Sequence, residues 1–135
     1  MMKRNSEILI HNCTKSKLPR QFLRENVEKI LRCLKKPAKP ISLILVPPLE
    51  IKKLNDYWRG KKNKATTVLT FSEGDIFLCP EEIKRQALKR QISQKKFYQL
   101  LLVHSILHLF GYTHDNSKDA KKMELLESKI FQSLV

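Results

Sequence analysis

The chain is short of three things, and each shortage excludes something. Only three glycines occur in 135 residues, so a Gly-rich loop that cradles phosphates with its backbone is not available. The three cysteines, Cys13, Cys33 and Cys79, are an odd number with no close pair, which rules out a disulfide framework and a Cys-rich zinc site. They read as small, partly buried thiols. No apolar run approaches the ~20 residues needed to span a bilayer. Near the start, only Ile8-Leu9-Ile10 is apolar, too short for a secretory core segment, so a cytoplasmic protein without membrane attachment is expected.

Acidic residues are also scarce: 13 Asp and Glu stand against 27 Lys and Arg, a formal net charge of +14. Such a field concentrates polyanions, and RNA is the leading partner because phosphate neutralisation by Lys and Arg dominates nucleic-acid affinity. No DNA specificity is expected. With 41% hydrophobic residues the chain is rich enough to build a core, and its length suits a single domain over 1–135.

Periodicity places the elements. Glu7 to Asn12 reads as a strand, and 19–34 as an amphipathic helix carrying Phe22, Leu23, Val27, Ile30 and Leu31. A Pro- and Lys-rich loop over 35–40 leads to a buried strand from Ile41 to Val46. Pro48 opens a helix over 49–58, and a basic loop runs from Gly60 to Lys64. Strands over 66–71 and 75–79 flank the turn Ser72-Glu73-Gly74 and pair as a hairpin. Helices are expected over 81–91, over 94–110 capped by Ser93, and over 118–133 with Asn116 and Asp119 as its capping pair. The predicted fold class is α/β with an α+β character: a four-stranded mixed sheet with about five helices.

The chemistry is concentrated at His104-Ser-Ile-Leu-His108-Leu-Phe-Gly111-Tyr-Thr-His114. Positions i and i+4 share a helix face, so His104 and His108 project side by side. Gly111 can take the positive φ that reverses the chain and brings His114 beneath them. Three neutral imidazoles with one open position is the donor set of catalytic zinc, and one zinc ion per chain is expected, with nickel or another transition metal as the alternative. The spacing is similar to the metzincin peptidase helix, but the general-base Glu of those enzymes is replaced by Ser105, which disfavours peptidase activity.

With those residues in view, the chain resembles the YbeY family of bacterial ribosomal-RNA maturation factors. The family motif His-Gly-x-x-His-Leu-x-Gly-Tyr-Asp-His is matched over 104–114. Upstream, Leu54-Asn55-Asp56-Tyr57-Trp58-Arg59, Thr66-Thr67-Val68-Leu69-Thr70-Phe71 and Gly74-Asp75-Ile76 match further family segments in order. The departures are Ser105 for Gly, Thr113 for Asp, Thr67 for Asp and Thr70 for Ser. The resemblance implies a zincin-like metal-dependent hydrolase fold. It also implies a single-strand-specific endoribonuclease acting in 3′-end maturation of small-subunit (16S) ribosomal RNA and in ribosome quality control.

The same resemblance implies the metal ligands His104, His108 and His114, and makes Arg59 the functional arginine; by position alone Arg59 is one more surface cation. Asp115, next to His114, or Asp75, at a family position, would be the carboxylate that orients the imidazoles, Asp75 having a hairpin hydrogen bond as its simpler role. Lys61, Lys62, Lys64, Lys95 and Lys96 are candidate RNA contacts, although each taken singly reads first as a solvated surface charge. Tyr57, Trp58 and Tyr112 read first as core aromatics, with stacking on unpaired bases as the alternative. The nucleophile is either water or the RNA 2′-hydroxyl. The rival reading is a non-catalytic, metal-stabilised ribosome-assembly or RNA-binding factor; a basic RNA-binding domain without metal is the weaker one.

Overall fold

The computed structural model describes residues 7–37, 39–60 and 64–135. Its sheet is built from β1 (Ile8–Asn12), β2 (Ile41–Leu45), β3 (Val68–Thr70) and β4 (Asp75–Leu78) in the order β1-β2-β4-β3. β1 and β4 both run parallel to β2, and β3 closes the edge antiparallel to β4. The mixed sheet and its hairpin are thus as the turn residues predicted.

Alternation sets the two faces. Ile8, Ile10, Ile41, Leu43, Leu45, Ile76 and Leu78 face the main core, where Ile41, Leu43 and Ile76 are at most 1% exposed. Ile44, Leu69 and Phe77 point the other way into a smaller cluster around Ile51. A one-residue slip in any strand would exchange these sets, so burial on both faces fixes the register.

The helices are α1 (Arg20–Leu34), α2 (Pro48–Arg59), α3 (Pro80–Arg90), α4 (Gln94–Leu109) and α5 (Ser117–Leu134). Ile51 carries α2 into the smaller cluster, while α1, α3, α4 and α5 cover the other face of the sheet. α4 is the central one: Leu102, Val103, Ile106 and Leu107 are all at most 1% exposed, and it packs against α1, α3, α5 and β3. Each such side chain stabilises the fold by ~1.5–3 kcal/mol, which anchors the helix that carries the imidazoles. Ser93 Oγ accepts the Lys96 N–H at 3.1 Å, and Asn116 Oδ1 accepts the Asp119 N–H at 2.8 Å, so both predicted caps form. Among the described residues, no helix is long and apolar enough to cross a membrane.

Two expectations are corrected. The strand predicted over 66–71 is shorter, Val68–Thr70: beyond it the Gly74 N–H closes the turn on Phe71 O at 2.9 Å, and before it a single bond, Cys79 N–H to Thr67 O at 3.0 Å, continues the pairing. In that turn Gly74 has φ +112°, and a Cβ there would lie 2.3 Å from Pro40 O, so no other residue fits without a shift. The cysteines were expected to be partly buried. Cys13 and Cys33 are exposed, the first because it follows the end of β1 and the second because it lies off the apolar stripe of α1. Only Cys79 is buried, and burial pushes its thiol pKa up, away from reactivity.

Candidate metal centre

The sixteen-residue α4 presents His104 and His108 one turn apart, with their Nε2 atoms 3.1 Å from each other. The chain then reverses at Gly111, which has φ +93°; the Gly111 N–H donates to His108 O and the Tyr112 N–H to Leu107 O. That turn lays the His114 ring almost parallel to His104, with centroids 5.1 Å apart, and 5.6 Å from His108. One nitrogen from each ring lies within 4.8 Å of the others.

The donor set fits a transition-metal ion. Zn–N bonds of ~2.0–2.1 Å in tetrahedral geometry put neighbouring nitrogens roughly 3.4 Å apart, close to the separation His104 and His108 already have. The rings must also be neutral to ligate. Burial, and then the adjacent His104 and His114, hold the His108 pKa below the ordinary imidazole value, which keeps its lone pair available.

The structure adds one residue that the sequence reading missed. Glu127, on α5, places Oε2 2.5 Å from His104 Nδ1. A carboxylate there accepts the Nδ1–H, fixes the tautomer and leaves the Nε2 lone pair facing His108. Among the described residues the carboxylate hydrogen-bonded to an imidazole is Glu127; no such bond joins Asp75 or Asp115, proposed for this role, to the histidines. Asp115 is exposed, with its N–H directed to Thr113 Oγ1. Asp75 opens β4 and contributes a main-chain oxygen to the turn. A signal for Glu127 did exist: it lies four residues after Met123 and three before Ile130, both buried, so it is a carboxylate flanking the apolar stripe of α5.

Ser105 is 1% exposed, and its Oγ has no hydrogen-bond partner among the described residues. It therefore does not act on the imidazoles, and its hydroxyl carries an uncompensated desolvation cost of ~1–3 kcal/mol. Ser105→Ala should raise the unfolding free energy by about 1–2 kcal/mol, with a small further gain from helix propensity. Thermal melts of the two apo proteins would check this; an unchanged or lower melting temperature would contradict the burial argument.

Arg59 ends α2, and its side chain, like Lys61 and Lys62, lies outside the described residues. Lys64 is exposed, and its carbonyl accepts the Asn55 amide at 3.0 Å. Lys95 and Lys96 are exposed in the first turn of α4, their ammoniums 5.4 and 5.9 Å from the Phe22 and Phe131 ring centres. Tyr57 and Trp58, read first as core, are 79% and 61% exposed and meet edge to face at 4.9 Å. Trp58 shares the helix face of Ile51 and Leu54 and meets the Phe71 ring edge to face at 6.0 Å, at the solvent-open margin of the smaller cluster. Tyr112 is half-buried beneath the Lys36 ammonium.

Known proteins resemble this chain along most of its length. The model of the family described as endoribonuclease YbeY matches residues 9–135. A protein named endoribonuclease YbeY from Buchnera aphidicola subsp. Acyrthosiphon pisum is 37% identical, over 97% of this chain and 92% of its own length. One of the same name from Sulfurihydrogenibium sp. is 37% identical, over 96% of this chain and 93% of its own. Among solved structures, the solution structure of TM1509 from Thermotoga maritima superposes with a TM-score of 0.71 at 30% identity, covering 94% of this chain and 88% of that one.

Proposed function

This chain belongs to the endoribonuclease YbeY family, and from that membership we infer that it is a hydrolase cutting single-stranded RNA at the His104–His108–His114 centre. We assign zinc to the centre and place the cut in 3′-end maturation of small-subunit ribosomal RNA, and in ribosome quality control, in the cytoplasm. The observation that carries the reading is the convergence of three imidazole nitrogens within 4.8 Å, one of them oriented by Glu127.

His104, His108 and His114 would hold a zinc ion, which would supply Lewis-acid chemistry toward a phosphoryl oxygen or a water. The protein's own groups do the rest. His104, His108 and His114 present lone pairs, and Glu127 keeps the His104 proton on Nδ1. Arg59 is the group proposed to grip the scissile phosphate, as a planar fork matched to two phosphoryl oxygens. Lys64, Lys95 and Lys96, with Lys61 and Lys62, would hold the RNA backbone without reading sequence. The exposed rings of Tyr57 and Trp58 offer faces on which unpaired bases stack, which favours single strands over duplex.

The test is single-turnover cleavage of a single-stranded RNA by the wild type, His114→Ala and Arg59→Ala, with and without chelator. Cleavage by the wild type should be lost on chelation and restored by zinc. Arg59→Ala should lower the rate by ~10²–10³-fold, the effect of removing a charge-stabilising donor. Equal cleavage by every preparation would point to a contaminating nuclease and remove the case for this centre.

A further inference from the structure

One cavity lies away from the imidazoles. It has a volume of about 710 Å³ and opens just beyond the carboxyl ends of the three parallel strands: Cys13 follows β1, Val46 follows β2 and Pro80 follows β4. Open α/β sheets bind ligands outside the carboxyl ends of their strands, and small-molecule sites commonly measure ~300–1,000 Å³. The cavity touches α4 only at Gln94, ten residues before His104, about 15 Å along the helix axis.

Its walls combine two chemistries. Lys15, Lys17 and Lys84 face one carboxylate, Glu81, so the lining is cationic. Val46, Pro47, Pro48 and Pro80 give it an apolar wall. α2 and α3 both begin on proline, so each lacks the first N–H that a helix start offers an anion. The lysine ammoniums are the charged donors that remain. The Asn12 amide donates to Ser16 O, and the side-chain oxygens of Asn12, Thr14 and Ser16 accept the N–H groups of Thr14, Ser16 and Leu18; these bonds hold the loop carrying Lys15 and Lys17, which lowers the cost of ordering it around a ligand. A bare phosphate would leave the apolar wall uncovered, and an uncharged ring would leave the lysines unused.

We propose that this cavity is a second nucleotide subsite. It takes one base and its phosphate from the single-stranded RNA that the metal centre cuts, and so holds the substrate at a distance from the scissile bond. The proposal rests on the ribonuclease reading for the origin of the nucleotide, but not for the pocket's chemistry.

The test has two arms. In the first, the full-length protein is titrated with AMP, adenosine and inorganic phosphate while backbone amide NMR shifts are followed. AMP should give saturable shifts at Cys13–Lys17 and Lys84, and bind more tightly than either fragment. The double charge reversal Lys15→Glu with Lys84→Glu should weaken AMP roughly tenfold or more, the equivalent of ~1.4 kcal/mol. Absence of saturable shifts, indifference to the charge reversal, or phosphate binding as tightly as AMP would each overturn the subsite.

In the second arm, the same double variant should raise KM for a long single-stranded RNA by a similar factor while kcat holds. An unchanged KM would overturn the link to substrate. A wild type that cuts no RNA would instead refute the ribonuclease reading and leave the AMP titration standing. Both lysines are exposed, so the variant should melt like the wild type.

Discussion

His108→Ala should abolish bound metal and RNA cleavage together while leaving the fold intact. The wild type should purify with, or take up, about one zinc ion per chain, and the variant close to none. Two imidazoles on separate elements, one on a helix and one beyond a turn, do not replace a facing i,i+4 pair. Metal that binds only the native state stabilises it by ~4 kcal/mol when present at a thousand times its Kd. Zinc should therefore raise the melting temperature of the wild type and not of His108→Ala, while the two apo proteins melt near each other.

The pH dependence follows from the same residue. Protons compete with metal for imidazole, so affinity falls as pH falls. Burial and the neighbouring rings lower the His108 pKa in the folded protein, so its charged form is disfavoured there. Its contribution is fully present above the ordinary value of 6.5 and is lost as pH drops through the lower, folded value. Chelator competition between pH 5 and 8 would measure this. Metal uptake that survives in His108→Ala with wild-type affinity would mean that the imidazoles do not share an ion.

Much of this centre was legible in the sequence because it is local. The i,i+4 spacing, the glycine and the third histidine lie within eleven residues, and helix geometry alone joins them. The element order was legible for the same reason, since proline starts, Ser93 and Asn116 are short-range signals. Glu127 was not identified, because its meeting with His104 depends on how α5 docks against α4, 23 positions away in the chain. Asp75, by its family position, and Asp115, by standing next to His114, drew the assignment instead. Helix ends without glycine were hidden too: Lys35 and Gln91 adopt φ +55° and +59°, imposed by the chain's path and not by residue type. Exposure of Tyr57 and Trp58 could not be read from their apolar character, because α2 has a small partner surface and uses Ile51 and Leu54 for it.

Glu127→Ala should lower metal affinity by ~10–100-fold without changing the ligand set, the usual effect of deleting a carboxylate behind a metal-bound histidine. Two consequences of the deletion act in the same direction. Without an acceptor at Nδ1, the His104 proton can sit on either nitrogen, and only one tautomer presents Nε2 to the ion. The carboxylate also makes the ring a stronger donor. Glu127→Gln separates these effects. Its amide oxygen can still accept the Nδ1–H and hold the tautomer, but the charge is gone, so its affinity should fall between the other two. Because Glu127 sits on the core side of α5, the alanine variant could also lose packing, and apo melting temperatures of all three proteins control for that. If alanine and glutamine variants bind zinc as tightly as the wild type, Glu127 is only a surface partner of His104. If both lose affinity equally at unchanged apo stability, charge and not tautomer is what the carboxylate contributes.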